Sequence, residues 1–573
     1  DAGTLTFYKN GVSLGVAFND DLSGRKIVPS IGTGGGSGNI TKCNFGQKPF
    51  KFPPPDGFQP LNDANIRPET VTVRPDKYVG ITTWRGNDTQ RDISTLSMKP
   101  DLVWIKQRTG SANHSLMDTV RGATKNIVPN DTQAEGTETG YLNAFIDNGF
   151  SLGTSSVVND ASNDYVAWAW KAGGNKNTFN VDDVGYASAS DVGMNVGGLN
   201  SNLFNTSQVW SNGAFDERSG QNPANAFNGS TTDYYQVNTD TNGGGVNFSG
   251  GLTGTLKVYA STGQPNNGDS TQTVTLSNGA TRSTSQGYNN GAEAIDFGYV
   301  SNITSVEITN SGLFYSFEVN GKFLVDNGVT PPNAPTTANT GASVGTRQGF
   351  SIIKFTNDST SPITLSHGLT QAPTFVLLKA LTGTVGWTVG HASIGFGSRL
   401  KLNGTDAESA SANYFANTPP TSSLITLGAN NVSNDFIMYS WHDVPGLQKF
   451  GSYMNLSSSN ASFVELGFKP AVLIFKCVRN ISSSSGQGDW IIKDTTRSPI
   501  NNPDDGNTLV ANVTNAEDSY YSAGQAAVDI LSNGFKIRHP NSSPGGDTGR
   551  LYIYAAWAEA PLVNLYGAGS NAR

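Results

Sequence analysis

One pattern recurs three times along the 573 residues. It is a proline, one spacer, four consecutive large apolar residues and a lysine. The copies read Pro100-Asp101-Leu102-Val103-Trp104-Ile105-Lys106, Pro373-Thr374-Phe375-Val376-Leu377-Leu378-Lys379 and Pro470-Ala471-Val472-Leu473-Ile474-Phe475-Lys476. A run this short is a strand, and a strand apolar at every position is covered on both faces and central in its sheet. The proline precedes the strand, where its missing N–H costs no ladder hydrogen bond.

Other motifs keep the same order around each copy. An aromatic strand follows: Tyr165-Val166-Ala167-Trp168-Ala169-Trp170, Phe436-Ile437-Met438-Tyr439-Ser440-Trp441 and Tyr552-Ile553-Tyr554-Ala555-Ala556-Trp557. Between the two, Asp147-Asn148-Gly149-Phe150-Ser151-Leu152 matches Ser532-Asn533-Gly534-Phe535-Lys536-Ile537, and Ser423-Leu424-Ile425-Thr426-Leu427 is a degraded counterpart. A further strand leads each copy, over residues 78–84, 350–355 and 450–454. Shared order at this spacing predicts three β-sandwich modules, at residues 74–174, 347–445 and 446–573.

The segments between them divide in the same way. Residues 1–60 carry alternating apolar positions on both sides of Asn10-Gly11, a hairpin signal, and 61–73 is a linker. Residues 175–200 read as a Gly/Asn/Ser linker with a helical turn near Val181 to Ala187, and 329–346 as a second linker. Residues 201–328 alternate again and predict an inserted sandwich with strands at 254–259, 272–276, 305–309, 314–319 and 322–325. The expected class is all-β, several sandwiches in series, three of them internal repeats. Charged residues are only 14%, so neutral polar residues form the surface; 67 glycines suit tight turns.

Composition also limits function. The net charge is −8 with no Lys/Arg-rich run, which gives nucleic-acid binding no electrostatic support. No apolar run reaches membrane-spanning length. Cys43 and Cys477 read as two unrelated buried thiols, and the start at Asp1, in mid-strand, suggests the C-terminal part of a longer polypeptide.

Three resemblances sit on these residues. Phe7-Tyr8-Lys9-Asn10-Gly11-Val12-Ser13-Leu14-Gly15 with Cys43-Asn44-Phe45-Gly46-Gln47-Lys48-Pro49-Phe50 resembles the closing strands of a SPRY domain, a concanavalin-like binding sandwich. Ala226-Phe227-Asn228-Gly229-Ser230-Thr231-Thr232-Asp233-Tyr234 with Phe317-Glu318-Val319-Asn320-Gly321 makes the insertion similar to discoidin-like, galactose-binding-like sandwiches. That family often holds Ca²⁺ in its first loop, but Asn228 stands here for the usual acidic residue, so no metal and no other cofactor is expected. The chain as a whole, through Pro100 to Lys106, Ser115 to Lys125 and Tyr165 to Lys171, resembles structural proteins of marine bacteriophages, above all cyanophage tail or head fibres. That resemblance implies a virion location, a homotrimer, other virion proteins as neighbours and a host-surface glycan or protein as receptor.

Chemistry-bearing residues are sparse. No Gly-x-Ser-x-Gly elbow accompanies the five histidines, and His442 reads as a loop residue. No His/Cys cluster has metal-ligand spacing. Asp182-Asp183 and Asp504-Asp505-Gly506 read as solvated turns, and Asp118 with Arg121 and Asp494 with Arg497 as a repeated structural ion pair. Trp168, Trp170, Trp441 and Trp557 belong to repeated strands and hence to cores. The candidate ligand surface is Trp210, Asp233, Tyr234, Tyr235, Tyr288 and Asn289 of the insertion, because aromatics in loops stack on sugar faces. The expected function is non-covalent recognition of a host surface by a phage fibre, not catalysis. A head fibre or decoration protein without a receptor and a glycan depolymerase are the alternatives.

Overall fold

The computed structural model describes residues 4–9, 12–19, 52, 74–189, 222–237, 244–263, 271–287, 290–309, 312–319, 322–325, 335–358, 362–410, 412–429, 434–454, 462–479, 488–501, 507–519, 526–538 and 549–561. The chain divides into two units, Asp1–Thr70 and Val71–Arg573. In the first, strands Thr4–Lys9 and Val12–Asn19 pair antiparallel with Lys9 opposite Val12, the hairpin expected there. Cys43 to Phe50 lie outside the described residues, as do 61–73.

The second unit is all-β and contains the three modules. In each, the repeated strand is central. Leu102–Gln107 lies between Asp164–Trp170 and Ser115–Asp118, Phe375–Ala380 between Asn434–Trp441 and Thr388–His391, and Phe468–Arg479 between Leu551–Pro561 and Trp490–Asp494. A lead strand borders the aromatic strand in each case: Val79–Arg85, Phe350–Asn357 and Gln448–Met454. A small outer sheet packs on one face. Gly149–Leu152 and Gly534–Ile537 are central in theirs, and Leu424–Leu427, the degraded copy, pairs with Ile363–Ser366.

The two-faced apolar pattern has a specific cause. Val103 and Ile105 face the outer sheet of their own module, in a core with Phe150 and Tyr165. Val376 and Leu378 do the same in module two, and Leu473 and Phe475 in module three. The alternate residues, Leu102, Trp104, Phe375, Leu377, Val472 and Ile474, enter a single core that all three modules share. Thus the modules are not beads in series; they close into a ring around a common centre.

The insertion is a separate seven-stranded sheet with its own core. Its two long strands, Gly244–Ser261 and Glu293–Ile308, break register at several points. These bulges bend the sheet back on itself, so Phe248 of the first half meets Phe317 of the second at 5.6 Å.

Two expectations are corrected. No helical turn forms near residue 181. Instead Phe179–Val181 and Val184–Tyr186 make a hairpin whose turn residues, Asp182 and Asp183, have φ of 49° and 68°, the positive angles a tight two-residue hairpin demands. Nor is 329–346 all linker: Asn339–Gly345 is a strand on the edge of Phe350–Asn357, and Phe179–Val181 pairs parallel to it.

Candidate functional site

The most elaborate polar arrangement in the molecule lies in the seams of the ring. It repeats at all three seams in the same sense. His114, Trp387 and Trp490 occupy one equivalent position. The His114 Nε2 lies 3.0 Å from the Val510 carbonyl of module three, the Trp387 indole donates to Val128 of module one at 2.9 Å, and the Trp490 indole to Lys401 of module two at 2.8 Å. Backbone bonds follow the same rule: Glu135 N–H to Leu381, Glu408 to Val478 and Glu517 to Arg108, at 2.9, 3.1 and 2.7 Å. Each module therefore meets the next through unlike surfaces, and a heterologous contact that closes after three steps makes a ring.

The lysines that end the repeated strands serve these seams. Each is buried, and its ammonium is held by carbonyl oxygens: Lys106 by Gln107, Gly110 and Thr514, Lys379 by Ala380, Val385 and Thr132, and Lys476 by Gly488 and Gly404. In every case one carbonyl belongs to the neighbouring module. Burial disfavours the charged form and brings all three down to about 8.

The Asp–Arg pairs are buried as well. Arg121 binds Asp118 at 2.5 Å and Arg497 binds Asp494 at 2.5 Å, with all four side chains at most 1% exposed. Each guanidinium also reaches a glutamate, Glu135 or Glu517, and two carbonyls. The carboxylate oxygen that binds the arginine also receives a partner from the next module: Tyr439 Oη donates to Asp118 Oδ2, and Trp168 Nε1 to Asp494 Oδ2. Module two has neither charge. His391 and Ile394 stand at these positions, and His391 Nε2 lies 3.3 Å from the Tyr554 carbonyl of module three.

Trp170, Trp441 and Trp557 meet at the centre, 5.2 to 6.4 Å apart pairwise with interplanar angles of 63° to 71°. They are 1–3% exposed. Edge-to-face packing of this kind adds about 0.5–1.5 kcal/mol per pair beyond area burial. Among the described residues their indole N–H groups have no hydrogen-bond acceptor, and this edge-to-face packing sets ring edges against neighbouring aromatic faces. These tryptophans, assigned to cores from sequence, are core residues of the ring rather than of one module.

The histidines are structural too. His114, His367, His391 and His442 are all buried, and His442 lies in the loop after Asn434–Trp441, as expected; His539 lies outside the described residues. Among the described residues no three His, Cys, Asp or Glu side chains are grouped to hold a metal ion. Cys477 is a free, buried thiol.

Of the six residues proposed for the ligand surface, Asp233, Tyr234 and Tyr235 are among the described residues. Trp210, Tyr288 and Asn289 lie outside the described residues. Tyr235 is fully buried in the insertion's core and pairs with Phe314, so it is not a contact residue. Tyr234 is half-buried, 5.6 Å from Tyr315. Asp233 is exposed and accepts from the Asn228 amide at 2.9 Å, while Ser230 N–H bonds the Asn228 oxygen. That bond occupies the one carboxylate in this loop, a donor set that does not fit Ca²⁺.

The seam network left a sequence signal that was missed. Asn130, Asn403 and Asn512 each accept from the backbone of the residue that crosses the seam, and each is followed five positions later by Glu135, Glu408 or Glu517.

Known proteins resemble parts of this chain. Over 67 residues, 11% of the chain, it is 46% identical to the E3 ubiquitin-protein ligase RKP of Arabidopsis thaliana, of whose length it spans 5%. A mycobacterial arabinofuranosyltransferase, AftD, aligns over 60% of this chain and 32% of its own, with 9% identity and a TM-score of 0.15. A family described as a domain of unknown function, DUF7483, matches residues 74–196 and 323–561, the span that holds the three modules and omits most of the insertion. The match takes in more than half of the sequence and treats the ring as one entity: this chain belongs to the DUF7483 family.

Proposed function

We propose that this chain is a phage fibre component that recognises a host surface without covalent chemistry, the ring acting as scaffold and the insertion as the displayed domain. One observation supports this reading most. The insertion follows the ring hairpin Phe179–Val181 and Val184–Tyr186 and precedes the ring strand Asn339–Gly345, and Phe179–Val181 lies beside Asn339–Gly345 with Val181 opposite Val344. A guest domain held on adjacent strands is displayed without disturbing its host. The ring's own polar groups fit a scaffold, because its buried lysines, histidines and Asp–Arg pairs are held by neighbouring modules.

Adsorption competition tests the proposal. Purified full chain is expected to block phage adsorption to host cells, and the chain lacking residues 201–328 to lose that block while keeping the ring's thermal transition. Equal blocking by both proteins would remove the insertion as the recognition element. Oligosaccharide release from host envelope by the full chain would replace recognition with depolymerisation.

A further inference from the structure

One lead strand of the ring has an outer edge with which no strand pairs among the described residues. Ile81, Ile352 and Phe450 are equivalent, because each stands opposite the residue two before the closing tryptophan, namely Trp168, Tyr439 and Ala555. The outer edge of the lead strand passes each of them. In module two that edge is covered by Asn339–Gly345, with Ser343 opposite Ile352. In module three the Phe450 N–H is taken by the carboxylate of Asp443, at 3.0 Å. In module one, Val79–Arg85 is the outermost strand of its sheet, and among the described residues no strand pairs with its free edge. A cleft of about 320 Å³ opens there against module three, lined by Gly80, Ile81, Ala471, Thr495, Ala558 and Glu559 among others. Glu559 stands where Asp443 stands in module two, two residues past the closing tryptophan, but pairs with Lys469 at 2.8 Å.

We propose that this cleft is a docking groove for an extended segment of a partner protein, which adds as a strand to the edge Val79–Arg85. Unpaired strand edges are ready templates for such addition. The occupant's chemistry follows from the strand that fills the equivalent edge. Asn339–Gly345 reads Asn-Thr-Gly-Ala-Ser-Val-Gly, all small and uncharged. The groove suits the same residues. Its walls include Gly80, Ala471 and Ala558, and its carboxylates, Asp76 and Glu559, are already paired with Arg74 and Lys469.

Hydrogen exchange on the full chain, with and without the heptapeptide Asn-Thr-Gly-Ala-Ser-Val-Gly, is the test. The peptide is expected to slow exchange of the outward amides of Ile81 and Thr83 at least tenfold at saturation. Ile81→Pro removes the outward N–H, a change tolerated at a sheet edge, and should abolish that protection. Thr496→Trp, which plugs the rim from an exposed position, provides the same control should the proline variant not fold. No slowing at millimolar peptide, or equal slowing in either variant, overturns the proposal. So does strong protection of these amides before peptide is added, which would mean that the chain's own residues cover the edge.

Discussion

The hydroxyl of Tyr439 in module two donates to the carboxylate of Asp118 in module one, 2.6 Å away and 321 positions distant in sequence. The same oxygen binds Arg121. The bond is one of a cyclic set, and Trp168 and Asp494 make its counterpart at 2.9 Å. Module two replaces the acid and the base together, by His391 and Ile394, and this joint change makes a prediction about the pair.

Arg121→Ile should destabilise the chain by about 3–5 kcal/mol, because it leaves Asp118 charged and unpaired in a buried seam. Adding Asp118→His recreates the module-two combination and should recover a substantial part of that loss. Urea unfolding of the two variants decides it. A double variant no more stable than the single one would show that the pair is not exchanged as a unit.

Acid should loosen the ring. His114 Nδ1 accepts from Trp104 Nε1, His367 Nδ1 from the Leu369 N–H and His391 Nδ1 from the Ser393 N–H, while each Nε2 faces a carbonyl. The neutral Nε2–H tautomer satisfies both nitrogens, and a second proton has no place to go. Burial adds to this and holds His367 and His391 at about 4 and His114 well below its ordinary value. With folded values below the unfolded one near 6.5, the unfolded chain binds more protons in this range. Stability is therefore lost as pH falls from about 6.5 toward 4. Melting temperature measured across that window should drop steeply, and less steeply in His391→Gln.

The opposite flank of the pH range reports the lysines. Folded values of about 8 lie below the unfolded 10.5, so the unfolded chain again holds more protons, now between these limits. Stability should rise with pH from about 8 until buried tyrosines such as Tyr439 and Tyr453, whose ionisation burial opposes, reverse the trend near 10. Lys379→Met should flatten the rise by roughly a third, since one of three equivalent groups is gone. Calorimetry from pH 7 to 9.5 reads the slope directly, and an unchanged slope would place the titration elsewhere.

Local structure was legible in the sequence and closure was not. Leu102 to Lys106 announces a buried central strand because the apolar period is unbroken, and the three copies announce three modules. The same run also states that its second face is covered, but not by what. The cover proved to be the other two modules, and the contacts that hold them, such as His114 to Val510, join positions 396 apart. Nothing in a local window encodes such a pairing. The failed helical turn at Val181 to Ala187 has a similar cause, since the hairpin that forms there is joined to the sheet through the pairing of Phe179–Val181 with the sequence-distant Asn339–Gly345. The proposed ligand group failed at Tyr235 because alternation around it was too short to separate a core aromatic from a loop one.

The insertion should unfold independently of the ring. Its core is built from its own residues, Phe227, Leu256, Phe314 and Phe317 among them, with none shared with the ring's cores. Its points of exit and return are fixed from the ring side, by the parallel pairing of Val181 with Val344 and by Asp182, which accepts from the Thr346 N–H at 2.8 Å. Those bonds survive removal of everything between residues 201 and 328. Scanning calorimetry of the full chain should accordingly show two transitions, and excision of 201–328 should delete one and shift the other by no more than a few degrees. Asp182→Ala removes the clamp at the junction and should lower only the ring transition. One merged transition in the full chain, or collapse of the ring on excision, would show that guest and scaffold fold as a single cooperative unit.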